Sequence, residues 1–135
     1  MMELPSDISF RKDVSVLLWK PRGTLNEAIV NEIVAFIEKA ERRTIKPFNR
    51  FTDMSALDMV DLNFKFVFQV ALFRRLSVMP KPPAKSAFYV TSKAAAHYPK
   101  LHALLIDFSP LDVSLFSNRL AAAKWLDVPV DVLTL

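Results

Sequence analysis

The chain has 135 residues, of which 52% are hydrophobic and 24% are charged, so it is long enough to form one globular domain with a buried core. It contains one glycine, Gly23, and no cysteine, which excludes glycine-rich phosphate loops, dinucleotide fingerprints, disulfide scaffolds and thiolate metal sites. The net charge of +4 is unevenly distributed, because twelve basic and four acidic residues lie between Lys39 and Lys100. A basic middle segment would suit an acidic protein, an anionic membrane surface or nucleic acid, but a solvated surface is the favoured interpretation.

Nothing in the sequence indicates export, membrane spanning or nucleic-acid binding. A secretory signal and a run of about 20 apolar residues are both missing, and no helix-turn-helix or RNA-binding aromatic motif accompanies the basic charge. We therefore expect a cytoplasmic protein, with a position at the membrane periphery as the alternative. It is expected to form a single domain over residues 1–135, with its core at about 6–127.

Two short strands that form a hairpin are predicted at the beginning of the chain. Residues 8–11 and 14–20 are rich in apolar and β-branched side chains, which are typical of strands. Pro21 and Gly23 follow directly and are expected to end the second strand.

An amphipathic helix is predicted after the hairpin. The sequence TLNE at 24–27 fits a capping box, in which the Thr24 hydroxyl accepts a hydrogen bond from the Glu27 amide. Apolar residues then recur at helical spacing, with Leu25 as the first member of the stripe. The positive charges of two arginines suit a helix end near residue 43.

Residues 62–73 form a Phe-rich segment whose pattern fits either a strand or a helix. Its apolar residues alternate as in a strand, yet Asp61, Lys65 and Gln69 fall on one helical stripe. With its flanks the segment covers about sixteen residues, against roughly 5–6 for a usual strand, so a helix is favoured. Asp58 or Asp61 is expected at the start of this helix.

Strands alternate with helices through the rest of the chain. Strands are predicted at 49–54, 86–91 and 113–116, a helix from Thr91 or Ser92 towards Ile106, and a last helix capped by Ser117. Trp125 is expected to anchor this last helix against the sheet. The alternation predicts βαβ crossovers, a mostly parallel sheet and helices packed over it.

Four short sequences together resemble the SpoIIAA-like branch of the STAS domains. They are VLLWKPRGTL at 16–25, RFTDMS at 50–55, the LF pair at 115–116 and AAAKWL at 121–126. With the element order, the resemblance implies an α/β SpoIIAA-like (STAS) fold, a mixed and mostly parallel five-stranded sheet with about four helices mainly on one face. It also implies a domain that binds proteins, membranes or small ligands, without a cofactor and without catalysing a reaction. The fold is similar in addition to that of the CRAL-TRIO lipid-binding domains.

Founding members of this family antagonise an anti-sigma factor and are switched by phosphorylation of a serine, within a motif Asp-Leu-Ser followed by Asp-Ser-Ser-Gly. Asp53-Met54-Ser55 matches the first part of the motif, and Asp61 matches the second aspartate. The position of the phosphorylated serine is occupied by Leu62. Leucine has no hydroxyl that could carry a phosphate, so this switch is not expected here.

The Phe-rich segment carries large aromatic residues where the family helix begins with small polar ones. Aromatic side chains on several sides of a surface helix cannot all face one sheet, which suggests the hypothesis of an apolar pocket or membrane-facing patch, although a well-packed core or a dimer contact is the favoured interpretation. Neighbouring arginines would suit an anionic membrane surface. The candidate ligand or partner surface comprises Asp53, Ser55, Leu62, Phe64, Phe68, Leu72, Arg74 and Arg75.

Catalytic and metal chemistry find little support in the residue pattern. His97 and His102 are five residues apart, which on one helix places them roughly 140° from each other and does not suit a metal pair. Local hydrogen bonds at the end of a strand are the favoured role of Asp53 and Ser55. We therefore predict a non-enzymatic binding or regulatory domain that acts through protein contact, as a homodimer or with another protein. The alternative is a carrier or sensor of an apolar ligand at the membrane periphery.

Overall fold

A five-stranded mixed sheet forms the centre of the computed structural model, which describes residues 7–43, 47–63, 65–70, 72, 84–91 and 111–134. The strands are, in chain order, β1 (Ile8–Arg11), β2 (Val16–Trp19), β3 (Gly23–Asn26), β4 (Asn49–Asp53), β5 (Leu57–Asp61), β6 (Ala84–Tyr89) and β7 (Leu111–Phe116). The central sheet has the order β1-β2-β4-β6-β7. Its β1–β2 pair is the predicted antiparallel hairpin, and its three other pairs are parallel. The predicted mixed, mostly parallel sheet of five strands is confirmed.

Three α-helices lie within the described ranges, against about four predicted. They are α1 (Glu27–Arg43), α2 (residues 65–70) and α3 (Arg119–Leu126), and a short 3-10 helix (Val130–Leu133) follows α3. The helix predicted from residue 91 or 92 towards residue 106 lies outside the described residues, so it stays a prediction. No helix of the described ranges is long and apolar enough to cross a membrane.

The helices cover both faces of the central sheet, with two of the three on the same face. Successive side chains of β2 point to opposite faces, so Leu17 packs with Ile33 of α1 while Val16 and Leu18 pack with α3. A strand covered on both sides reads as a continuous apolar run, which is why VLLW at 16–19 is apolar throughout. On the α3 face, the half-buried Trp125 packs against Phe116 of β7, with the ring centres 5.5 Å apart and the ring planes inclined at 48°, as expected of a helix anchor.

A second, two-stranded sheet was not predicted. It consists of β3 and β5, which pair in parallel with Gly23 opposite Leu57. Gly23 has a φ of +71°, a conformation that side chains disfavour, and the strand register shifts immediately after it. The single glycine therefore does separate β2 from the next element, but that element is a strand and not yet a helix.

Each described α-helix begins with an asparagine cap, and the starts predicted from the sequence for these three helices are wrong. Thr24 and Leu25 belong to β3, Asp58 and Asp61 belong to β5, and Ser117 precedes the residue that caps α3. The side-chain oxygens of Asn26, Asn63 and Asn118 accept the amide three residues further on, namely Ile29 at 3.0 Å, Phe66 at 2.8 Å and Ala121 at 3.2 Å. Asparagine is among the strongest capping residues, since its side-chain oxygen satisfies an amide that has no partner within the helix.

Candidate functional site

A cavity of about 130 Å³ lies between α1, α2 and the central sheet, and we call it the α1–α2 cavity. The described residues that line it are Leu17, Trp19, Leu25, Val30, Ile33, Val34, Ile37, Arg50, Phe51, Thr52, Met54, Leu62, Phe66, Val67, Val70, Ser86 and Phe88. Protein interiors are packed as densely as organic crystals and contain few voids larger than a water molecule. A space of this size within an apolar lining is therefore a candidate binding site.

Helix α1 supplies one wall of the cavity through its apolar stripe. Val30, Ile33, Val34 and Ile37 all line the cavity, and their spacing of three and four residues places them on one face of the helix. Ile33 is buried, and the other three are partly buried. The stripe predicted from the sequence thus borders the cavity as well as the core.

Helix α2 supplies the opposite wall, and it divides the Phe-rich segment into an inner and an outer side. At about 100° per residue, Phe66, Val67 and Val70 fall within about 100° of one another, and all three line the cavity. Phe68 and Leu72 lie roughly 200° and 240° from Phe66 on the same scale, and they are 43% and 46% exposed. The helix therefore turns apolar side chains both towards the sheet and towards solvent.

The residues predicted as a ligand or partner surface thus separate into several places. Leu62 lines the cavity, whereas Phe68 and Leu72 are on the outer side of α2. Asp53 and Ser55 lie at the end of β4, in a separate polar cluster. Phe64, Arg74 and Arg75 fall outside the described residues, as do His97 and His102.

The cavity floor is formed by the sheet and contains the polar residues Arg50, Thr52 and Ser86. Arg50 Nη2 donates to Glu41 Oε2 at 2.7 Å, and both side chains are largely buried, so the two charges neutralise each other. The Arg50 guanidinium also lies 5.4 Å from the centre of the Phe48 ring. An ion pair of this kind is stable in a buried position only because both partners are present.

Asp53 is the centre of the second cluster, at the carboxyl end of β4. Its side chain is 0% exposed, and its Oδ1 accepts hydrogen bonds from the Ser55 amide at 2.9 Å and the Ser55 hydroxyl at 2.6 Å. Its Oδ2 accepts from Arg119 Nη2 at 2.8 Å, and the Arg119 guanidinium stacks 4.4 Å from the centre of the Tyr89 ring. The cluster joins β4 to the first turn of α3.

The hydrogen bonds decide the ionisation of Asp53. Burial by itself raises the pKa of Asp53, but the hydrogen bonds from Ser55 and Arg119 outweigh burial and hold the pKa below its usual value. Asp53 is therefore a carboxylate at neutral pH, with both oxygens engaged. The lowered pKa and the two engaged oxygens fit a structural role for this carboxylate, which joins β4 to α3.

Some of these groups have a signal in the sequence, and others have none. Arg50 and Thr52 alternate with Phe51 and Asp53, and a period of two places the first pair on one face of a strand and the second pair on the other. Arg119, by contrast, has no local signal, since its partner Asp53 is 66 residues away.

Within the described ranges, no group of three or more His, Cys, Asp or Glu side chains is placed to hold a metal ion.

Comparison with known proteins identifies the fold. No protein-family model matches the sequence, and no curated protein sequence matches it. The structure is similar to the crystal structure of an uncharacterised protein of the DUF3478 family from Shewanella loihica PV-4, which is described as having a SpoIIAA-like fold. The two chains are 18% identical, with a TM-score of 0.57, over 88% of this chain and 90% of the other. The chain therefore has a SpoIIAA-like fold, as the sequence pattern predicted.

Proposed function

We propose that the protein acts by binding a small apolar ligand, or the apolar end of a larger one, in the α1–α2 cavity. The size and lining of this cavity carry the proposal. A ligand that fills this space removes apolar surface from water, which is favourable by about 25 cal/mol per Å².

The volume limits the size of the ligand. An engineered apolar cavity of about 150 Å³ in another protein binds benzene, whereas pockets for drug-sized ligands measure roughly 300–1,000 Å³. The α1–α2 cavity therefore suits one aromatic ring or a few methylene groups. A complete lipid would fit only if α1 and α2 moved apart.

Binding, and not catalysis, is the activity that the polar groups support. Arg50 is engaged with Glu41 beside the cavity, and Asp53 is held as a carboxylate of lowered pKa by Ser55 and Arg119. Each of these groups is committed to a structural partner. Fixed partners suit a stable binding site better than they suit a cycle of proton transfers.

The test is a cavity-filling substitution with a matched surface control. A ligand that binds only the native state raises the melting temperature. In a domain of this size the increase is about 4 °C for each 1 kcal/mol that binding adds to the free energy of unfolding. In benzene-saturated buffer, the wild type is expected to show this increase by calorimetry. Val70→Phe places a ring in the cavity and should abolish the increase, whereas Val130→Phe, at an exposed position, should preserve it.

Two results would contradict the proposal. A wild type whose melting temperature is unchanged by benzene has no accessible apolar cavity. An equal increase in the wild type and in Val70→Phe would place the binding elsewhere.

The outer side of α2 favours a second candidate function, contact with another protein. Phe68 and Leu72 are four residues apart, so they lie on the same side of the helix, and both are exposed. A second copy of the chain is the simplest partner for such a surface, because most soluble oligomers are symmetric pairs of identical chains. This surface fits the protein-contact function expected from the sequence.

A further inference from the structure

We infer that the ligand of the α1–α2 cavity carries one neutral hydrogen-bonding group, a hydroxyl or a carbonyl, which binds to Thr52 and Ser86. This inference rests on the proposed function and specifies the chemistry of the same site. The ligand class is a small phenol, or a short-chain alcohol or ketone.

The first observation is the placement of the two hydroxyls. Thr52 belongs to β4 and Ser86 to the neighbouring parallel strand β6, where Ser86 is opposite Arg50. Arg50 and Thr52 are two residues apart, so all three side chains are on one face of the sheet. That face forms the floor of the cavity, and both hydroxyl-bearing residues line it.

The second observation is the state of the two hydroxyls. Thr52 and Ser86 are only 7% and 6% exposed, and neither hydroxyl is among the completely buried side-chain atoms of the described residues that lack a hydrogen-bond partner. Because both residues line the cavity, a ligand that fills it covers what remains accessible of their hydroxyls. A ligand without a polar group would leave these hydroxyls without a partner, which is destabilising.

The third observation concerns charge. Arg50 is on the same floor, but its Nη2 donates to Glu41 Oε2 at 2.7 Å, so its positive charge is already balanced. A carboxylate on the ligand would be buried near Glu41 without a cation of its own, and an ammonium group would be buried near Arg50. A neutral polar group avoids both costs, and hydroxyl and carbonyl groups can pair with serine and threonine hydroxyls.

Three probes of similar size test the inference directly: benzene, phenol and benzoate. Dissociation constants measured by isothermal titration calorimetry are expected to be about three- to tenfold lower for phenol than for benzene, the effect of one or two net hydrogen bonds. Benzoate is expected to bind more weakly than either neutral probe. The order of affinity is thus phenol, benzene, benzoate.

Two substitutions assign the effect to the proposed residues. Ser86→Ala and the nearly isosteric Thr52→Val should each reduce the advantage of phenol over benzene, and together they should remove it. Benzene affinity is expected to change less than twofold. Thr24→Val removes a hydroxyl from an exposed position outside the cavity lining and should leave all three affinities unchanged.

The outcomes separate this inference from the proposed function. Equal affinities for phenol and benzene would overturn the inference, since the ligand would then make no hydrogen bond with the two hydroxyls. The proposed binding of apolar ligands would remain valid. Tightest binding of benzoate would show that Arg50 governs recognition and would also overturn it. A double variant that keeps the phenol preference would exclude Thr52 and Ser86. No binding of any probe would refute the proposed function as well.

Discussion

Asp53 shows how a single buried charge is stabilised in this fold. Transferring a carboxylate from water to the interior is costly, and the cost is offset only by good hydrogen bonds and an opposite charge. Here two hydrogen bonds come from Ser55 and one from Arg119, whose side chain remains 33% exposed. Asp53 therefore links the end of β4 to the beginning of α3, and both partners are needed.

The lowered pKa of Asp53 predicts acid-sensitive stability. Because the pKa is lower in the folded state than in the unfolded state, the unfolded chain binds the proton more readily at intermediate pH. The stabilisation by Asp53 is complete above the ordinary carboxyl pKa of about 4, and it is lost as the pH falls through the lowered pKa. The free energy of unfolding from urea titrations should therefore decrease from about pH 4 downwards.

Asp53→Asn should remove part of this pH dependence and should lower stability at pH 7 by about 2–3 kcal/mol. The loss is at or below the lower end of values for buried pairs, since the guanidinium of Arg119 keeps some contact with water. Asp58→Asn removes the same charge from an exposed residue of β5 and is expected to keep wild-type stability at pH 7. If the free energy of unfolding decreased below pH 4 as steeply in Asp53→Asn as in the wild type, the assignment to Asp53 would be contradicted.

The polar cluster also shows how far a single residue can be interpreted from sequence. The bonds between Asp53 and Ser55 were predictable because the two residues are neighbours in the chain, and such local bonds are common where a strand ends. The pairing with Arg119 was not predictable, since it depends on how α3 packs. Leu62 is an intermediate case: its missing hydroxyl was visible in the sequence, but its position in the cavity lining was not.

At the scale of elements, the five strands of the central sheet were predicted and the two strands of the second sheet were missed. β2 is covered on both faces, so burial selects an apolar run that the sequence reveals, whereas β4 combines the buried Phe51 with polar residues. β3 and β5 are short and carry Thr24, Asp58 and Asp61, and each is stabilised by pairing with a segment more than thirty residues away. Such pairing is a tertiary effect, and it also displaced the predicted helix starts to Asn26 and Asn63.

The cap of α3 allows a direct comparison of the predicted residue and the observed one. Asn118→Ala removes the acceptor of the Ala121 amide and should lower the free energy of unfolding by about 1 kcal/mol, which corresponds to roughly 4 °C in melting temperature. Ser117→Ala changes an exposed neighbour that does not bond this amide, and it should change stability by less than about 0.5 kcal/mol. If thermal unfolding showed a larger loss of stability in Ser117→Ala than in Asn118→Ala, Ser117 would be the cap of α3, as the sequence predicted.

At the scale of the whole molecule, the two faces of the central sheet are packed differently. The α3 face contains Val16, Phe51 and Ala87 at full burial, with α3 packed directly on them. The other face contains the α1–α2 cavity, whose outer wall is the single helix α2. One face is therefore closely packed, while the other contains a cavity beside a helix whose opposite side is exposed.

This arrangement predicts that self-association and ligand binding are separable. If the outer side of α2 pairs two copies of the chain, sedimentation equilibrium should give twice the chain mass for the wild type. Phe68→Lys should shift the population to the monomer, since it buries a charge at the contact. Val130→Lys, at an exposed position on the α3 side of the molecule, should remain dimeric.

Because Phe68 points away from Phe66, Val67 and Val70, the monomeric Phe68→Lys variant should keep the benzene-induced increase in melting temperature. Loss of both properties together would show that the cavity forms only in the dimer. A wild type that is monomeric at all concentrations would exclude a second copy of the chain as the partner. If that monomer binds anionic vesicles, the exposed side of α2 would instead be a membrane-binding surface. A dimer that survives Phe68→Lys would place the interface elsewhere, since a lysine cannot replace the apolar ring in a buried contact without losing its solvation.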